Sequence, residues 1–277
     1  MSAWRRLLGH ARGLFGGLVV AAMILTGALA PAIATYSYST QSLLKRLQAP
    51  SATHWLGTDG FGRDILSRVI WGSRVSLEIG FLATGLSVLV GTLLGGSAAY
   101  FGGAADGAIM RAADAFMAIP ALFLILVVVA VFGAGLVNTA LVIGLVTWAP
   151  VARIVRGECL SLRARDFVAA ARALGAGHAR ILSRHLLGNA MPVVIVQSTL
   201  LLGQTILIES GLSYLGLGAQ PPLPSWGNML VEGRQHLASA WWIATFPGLA
   251  IFVTVLGFNL FGDGLRDTLD PTLRARG

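Results

Sequence analysis

Charge is scarce in this sequence: Asp, Glu, Lys and Arg together make up 12% of its 277 residues, and Lys45 is its one lysine. A soluble domain carries about 25% charged residues, so this composition excludes an ordinary soluble fold. Lys45 does not stand in a Gly-Lys-Ser/Thr sequence, so the chain lacks the usual loop that cradles ATP phosphates. His-Glu-x-x-His and Gly-x-Ser-x-Gly are also missing, and we predict no catalytic residue and no cofactor in this chain.

Cysteine is equally rare. Cys159 is alone, which excludes an intrachain disulfide framework and favours a small apolar packing residue. His178 and His185 lie seven residues apart, but no carboxylate joins them at ligand spacing. We therefore predict no metal site.

Long runs without a charged residue separate the few charges of the chain. They cover residues 13–44, 79–105, 115–152, 185–208 and 235–262. Each run exceeds the roughly 20 residues that cross a bilayer as a helix, and the third is long enough for two. The predicted fold is an all-α polytopic bundle of about six transmembrane helices, at 14–34, 77–100, 113–132, 137–157, 191–212 and 241–262.

The net charge of +8 is distributed unevenly. With the N-terminus inside, fourteen of the 20 basic residues fall on the inner side and six on the outer side. This agrees with the positive-inside rule and predicts that both termini are cytoplasmic, with no role in binding nucleic acid. Arg5, Arg6 and the apolar run that follows resemble a signal peptide, which we interpret as a retained signal-anchor helix.

Two regions follow from this topology. Residues 1–76 form a signal-anchor helix and an outside segment, and residues 77–277 form the membrane core. The largest inside segment, 158–190, carries most of the charge. Within it, Asp166 is a plausible N-cap and Gly175 or Gly177 a plausible helix stop.

A short apolar stripe lies between those ends. Phe167, Ala170, Ala171 and Leu174 follow the i, i+3, i+4, i+7 spacing of one helix face. Such a stripe on a basic loop suits either docking into a groove of another protein or lying on anionic lipid. The residues alone leave both interpretations open.

Residues 169–175, Ala-Ala-Ala-Arg-Ala-Leu-Gly, resemble the EAA loop of ABC importer permeases. The two alanines, Ala170 and Ala171, and the glycine, Gly175, are kept. Ala169 replaces the glutamate of that pattern, so a salt bridge made there by other members is absent here. Gly188 stands where the pattern has its final proline.

Three further stretches resemble the dipeptide, oligopeptide and nickel branch of these permeases, and in particular its C-type subunit. They are His-Trp-Leu-Gly-Thr-Asp-Gly-Phe-Gly-Arg-Asp-Ile-Leu-Ser-Arg at 54–68, Ser-Tyr-Leu-Gly-Leu-Gly at 213–218, and the run from Phe258 to Asp267 that closes at Asp270-Pro271. With the EAA-like loop, the resemblance extends over about residues 15–273 in order and spacing.

The resemblance implies the fold of a type I importer permease and a set of partners. They are a second homologous permease, two cytoplasmic ATPase subunits that use ATP and Mg, an extracytoplasmic substrate-binding protein and membrane lipid. It also implies that the loop couples the ATPases to the pathway, through Asp166, Phe167, Ala170, Ala171, Arg172 and Gly175. The chain would reside in the bacterial inner membrane.

Two further groups of candidate residues carry less specific signals. Gln197, Gln204 and Glu209 lie in the fifth span, where polar groups are costly and often functional, and they are candidates for the translocation path. The alternative for the glutamines is interhelical hydrogen bonding, and for Glu209 interfacial solvation. The outside motif contributes Gly57, Thr58, Asp59, Gly62, Arg63 and Asp64, either as a salt-bridged scaffold or as a contact with a partner.

Three other functions compete with the importer interpretation. A self-sufficient secondary carrier would need ionisable groups in several spans, and only Glu209 qualifies. A membrane enzyme would need a catalytic set, and a purely structural subunit remains as a third alternative. Within the importer interpretation, small peptides are the favoured substrate and nickel or a chelated metal is the alternative.

Overall fold

Helices account for the regular structure of the chain from His10 to Leu269, the residues that the computed structural model describes. Thr58 and Asp64 form one isolated antiparallel bridge. The helices are α1 (Ala11–Ala28), α2 (Ala30–Ile33), α3 (Ile65–Phe101), α4 (Gly103–Ala118), α5 (Ala121–Phe132), α6 (Leu136–Val146), α7 (Trp148–Arg163), α8 (Asp166–Ala173), α9 (His178–Tyr214), α10 (Trp226–Arg234) and α11 (Trp242–Leu269).

Four of these helices, α1, α3, α9 and α11, are long and apolar enough to cross a membrane alone. Two bent pairs qualify together: α4 with α5, bent by 89°, and α6 with α7, bent by 41°. Counting each pair as one span gives six, and the prediction of an all-α polytopic bundle is confirmed.

The breaks have local causes. Pro120 has no N–H to continue a helix and lies at the N-cap of α5, where the sharper bend occurs. Gly133 and Gly135 flank the turn between α5 and α6. Thr147 separates α6 from α7, and its hydroxyl donates to the Ile143 carbonyl at 2.8 Å.

Helix α3 begins twelve residues before the predicted start of span two and crosses the expected boundary at residue 76. Asp64 caps it, accepting from the Ser67 N–H at 2.8 Å, which fixes the start of the helix. Arg68 and Arg74 make this first part look like a polar loop in the sequence, yet the helix continues through both.

Helix α3 is the centre of the bundle, with α1, α6, α7 and α9 packed around it. It packs most closely against α7, where a Cβ on Gly95 would lie 2.3 Å from the Ala152 carbonyl oxygen. Small residues let transmembrane helices approach in this way.

The predictions for the two ends of the chain lie outside the described residues. They concern Arg5 and Arg6 of the signal-like start, Arg274 and Arg276 of the inner-side charge count, and the Asp270-Pro271 close of the last motif.

Candidate functional site

Helix α8 forms the core of the EAA-like loop and joins α7 to α9. Arg165 is its N-cap, so the prediction that Asp166 caps it is wrong: Asp166 is the first helical residue. The carboxylate of Asp166 in the first turn and the guanidinium of Arg172 in the last both suit the helix dipole.

Gly175 ends α8 with a left-handed backbone, at φ 77°. Its N–H donates to the Arg172 carbonyl at 2.9 Å, and the Ala176 N–H donates to the Ala171 carbonyl at 3.0 Å. These two bonds are the Schellman arrangement that glycine favours at a helix end. The helix therefore ends at Gly175, as predicted.

The inner face of α8 holds the helix on the bundle. Val168 is fully buried in a cluster with Tyr100 of α3, Leu162 of α7 and Ile181 of α9. Ala171, only 8% exposed, lies on the same face one turn later. Val168 was not among the predicted functional residues, although its i, i+3 spacing with Ala171 was visible in the sequence.

The outer face of α8 is apolar and open to solvent. Phe167 and Ala170 are exposed, and Leu174 is 88% exposed. The predicted four-residue stripe is thus divided, because Ala171 follows Ala170 by 100° around the helix and turns inward. The face available to another protein consists of Phe167, Ala170 and Leu174.

Side-chain contacts attach the loop to both long central helices. The Tyr100 hydroxyl lies 2.6 Å from Nδ1 of His178, the first residue of α9. The Arg172 guanidinium lies 5.8 Å from the centre of the Tyr100 ring, and Arg163 donates to the Ala99 carbonyl at 2.8 Å. Arg172 of α8 thus contacts the end of α3, which in turn contacts the start of α9.

The start of α9 has an irregular backbone, with a π-helical stretch at Ile181–Leu187. Such stretches are rare and occur frequently at functional sites. This one lies directly after the EAA-like loop, at the place where the loop passes into the membrane helix.

The outside motif lies at the opposite end of α3 and folds into a compact loop. Gly57 and Gly62 have φ of 79° and 72°, and a Cβ on Gly62 would lie 1.9 Å from the Ser42 carbonyl oxygen. The Thr58 hydroxyl donates to the Lys45 carbonyl at 2.5 Å. These glycines are required by the loop geometry.

A buried ion cluster forms the centre of this loop. Asp59 accepts from Arg63 Nε at 2.6 Å and from Arg68 at 2.5 Å. Both arginines also reach Glu232 of α10, at 2.7 and 2.5 Å. Asp64 lies 2.9 Å from His54 Nδ1. These contacts favour the scaffold interpretation of the motif. No local sequence pattern links Glu232 to this motif, because it lies more than 160 residues away along the chain.

The three candidates for the path occupy different environments on α9. Gln204 is exposed, Gln197 is half-buried and Glu209 is completely buried. An apolar groove of about 410 Å³ between α1, α3, α9 and α11 is lined by Ile195 and Ser198 rather than by these three residues. Of the three, Gln204 has the side chain that is exposed to a substrate or to a second permease.

Glu209 is surrounded by serine hydroxyls. Ser213 donates to its Oε1 at 2.6 Å, and Ser210 lies 3.5 Å from Oε2. Ser225, the N-cap of α10, donates to the Ser213 hydroxyl at 3.1 Å. The carboxylate therefore connects α9 to the start of α10.

Two known protein families match the sequence of this chain. Residues 87–275 match the family described as binding-protein-dependent transport system inner membrane component, and residues 1–50 match the N-terminal transmembrane domain of oligopeptide transport permease C.

This chain belongs to that transport family. The permease is 42% identical over 273 residues to the dipeptide transport system permease protein of Alkalihalophilus pseudofirmus, covering 99% of this chain and 90% of the relative. It is 41% identical to the glutathione transport system permease protein of Pectobacterium atrosepticum, covering 98% and 91%. It is 39% identical to the oligopeptide transport system permease protein of Bacillus subtilis, covering 99% and 91%.

Membership confirms the resemblance drawn from the motifs. The permease is an inner-membrane transport subunit of an ABC importer and not an enzyme, since hydrolysis of ATP belongs to separate subunits. The family implies partnership with ATPase and substrate-binding components. The relatives compared do not favour the nickel alternative.

Proposed function

We propose that this permease forms half of the translocation pathway of an importer for small peptides. The observation that carries the proposal is the near-full-length similarity to permeases named for dipeptides, oligopeptides and glutathione. Glutathione is itself a tripeptide, so the three names share one chemical class.

The other half of the pathway is a second homologous permease. Two cytoplasmic ATPase subunits use ATP and Mg. One of them docks on the outer face of α8 through Phe167, Ala170 and Leu174, and the other docks on the second permease. An extracytoplasmic binding protein delivers the peptide at the opposite end of α3. The excess of basic residues on the α8 side supports this orientation, with both termini in the cytoplasm.

Coupling starts at α8. Closure of the ATPases moves this helix, and Arg172 and Gly175 hold its last turn in shape while it moves. The Tyr100–His178 contact passes the displacement to α3 and α9, which run from the loop to the far end of the bundle. Gln197 and Gln204 on α9 then line the pathway as it opens.

Reconstitution tests this function. The permease is purified through its own tag together with the proteins of the neighbouring genes, and uptake of labelled dialanine into proteoliposomes is measured with and without ATP. We expect a second permease and ATPases to co-purify, and uptake that requires both ATP and the binding protein.

Nickel and carrier functions predict other outcomes. Uptake of labelled nickel in place of dialanine would replace the peptide assignment. Dialanine uptake by the permease alone, driven by an ion gradient, would indicate a secondary carrier.

A further inference from the structure

A charged cavity of about 520 Å³ lies between α4 and α7, away from the features described so far. Polar residues form most of its wall, which consists of Asp106, Gly107, Met110, Arg111, Asp114, Arg153 and Arg156. Three guanidinium groups and two carboxylates thus surround one space.

Two ion pairs span the cavity wall. Arg156 binds both carboxylate oxygens of Asp106 at 2.5 Å, and this pair is the less exposed of the two. Arg153 pairs with Asp114, and both side chains are about half exposed. Arg111 makes no ion pair with any residue between His10 and Leu269.

These charges lie at the same end of the bundle as the coupling loop. Asp106 follows the end of α3 at Phe101 by five residues, and Arg156 binds it from α7. Helices α4 and α7 each belong to one of the two bent pairs that pass as membrane spans only together. Under the proposed orientation, a peptide that has crossed the bundle leaves it at this end.

We propose that this cavity binds the charged termini of a peptide in transit. Arg111 and Arg153 bind the carboxylate end, and Asp114 binds the ammonium end. The Asp106–Arg156 pair joins α4 to α7 and holds the wall. This inference rests on the proposed function, because it names a substrate-binding site within the peptide pathway.

The mixture of charges selects the class of ligand. The three guanidinium groups outnumber the two carboxylates, so an anion is attracted to the cavity, but only a zwitterion also has an ammonium group for Asp114 to bind. Exposed ion pairs contribute little to stability, so the Arg153–Asp114 pair can exchange its partners for those of the ligand. The volume lies within the range of small-molecule sites.

Protection of an introduced thiol tests the site directly. Gly107 lines the cavity, and a Cβ there meets nothing within 4 Å, so Gly107→Cys fits without strain. Gly157→Cys is the matched control, since Gly157 is equally open but does not line the cavity. Cys159 is buried and does not compete for the reagent.

The purified importer without its binding protein is treated with a charged methanethiosulfonate, and labelling of this chain is followed by mass spectrometry. Dialanine at ten times its dissociation constant leaves about a tenth of the sites free, so Gly107→Cys should react about tenfold more slowly. The control should react at an unchanged rate. Dialanine with both termini capped should protect neither variant.

Several results would overturn the proposal. Equal protection by capped dialanine would show that the termini are not recognised, and protection by inorganic phosphate alone would show an anion site. A thiol at position 107 that the reagent never reaches would show that the cavity is closed to any peptide.

A transport readout separates this inference from the proposed function. Arg111→Gln should lower dialanine uptake about tenfold, because a charge-assisted contact is lost, while Arg266→Gln on α11 stays near wild type. If wild-type protein takes up dialanine but Arg111→Gln does so equally well, the site is wrong and the function stands. If wild-type protein takes up no peptide, the function itself is wrong.

Discussion

Arg68, near the start of α3, binds both carboxylate oxygens of Glu232 in α10, at 2.5 and 3.0 Å. Arg68 is only 1% exposed and also binds Asp59. The pair connects the outside motif to a short helix that precedes the last membrane span. This end of the bundle is therefore held together by charge as well as by apolar packing.

Removal of that carboxylate should destabilise the fold. Glu232→Ala leaves the buried guanidinium groups of Arg63 and Arg68 to share Asp59, and the lost hydrogen bonds should lower the free energy of unfolding by about 1–3 kcal/mol. We expect a clearly lower unfolding temperature in detergent. Asp263→Ala, at an exposed carboxylate without an ion pair among residues 10–269, is the control. An equal loss in both variants would contradict the structural role of Glu232.

The outer face of α8 can be tested by a charge at its most exposed leucine. Leu174→Asp should abolish ATP-driven uptake and the co-purification of the ATPase subunits, because it places a charge in an apolar interface. Leu44→Asp, at a leucine 97% exposed near the other end of the bundle, should leave both unchanged. Retained co-purification with Leu174→Asp would exclude this face as the docking surface.

A substitution at Ala171 tests the inner face of α8. Ala171→Asp buries a carboxylate beneath the helix, so we expect α8 to detach and uptake to fall to background while membrane insertion remains normal. Ala169→Glu, at the exposed position where the family pattern has glutamate, should support uptake. Normal uptake by Ala171→Asp would refute the coupling role of the loop.

Two substitutions at Glu209 distinguish a structural role from a pore role. Glu209→Gln keeps an acceptor oxygen for the Ser213 hydroxyl, so uptake and unfolding temperature should stay close to wild type. Glu209→Leu leaves buried hydroxyls unpaired, at about 1–3 kcal/mol each, and should lower the unfolding temperature. Glu209→Gln that folds normally but transports poorly would instead support a place in the translocation path.

The spans and the coupling loop were predictable because their signals are local. Uncharged runs mark membrane helices wherever they occur, and the stop at Gly175 follows from the conformational freedom of one residue. The predicted span from 113 to 132 is bent at Pro120, a residue whose missing N–H can kink a helix and is visible in the sequence.

The ion cluster and the charged cavity could not be predicted from local patterns. Arg63 and Arg68 meet Glu232 only after the chain has crossed the bundle several times. Arg153 and Asp106 counted in the sequence as charges of loops and span ends, and only the packing of α4 against α7 places them around one space. The inward position of Ala171 could not be predicted for a related reason: the spacing of apolar residues does not show which side of α8 faces the bundle.

Helix α3 runs without proline or interruption for 37 residues, which corresponds to about 55 Å, well beyond the roughly 30 Å of hydrocarbon in a bilayer. One end carries Tyr100 beside the coupling loop, and the other carries the Arg68 cluster. A rod of this length acts as a lever: a tilt of about 5° moves its far end by about 5 Å. Under the coupling that we propose, a small rotation at the loop becomes a displacement of about 5 Å at the opposite end of the bundle.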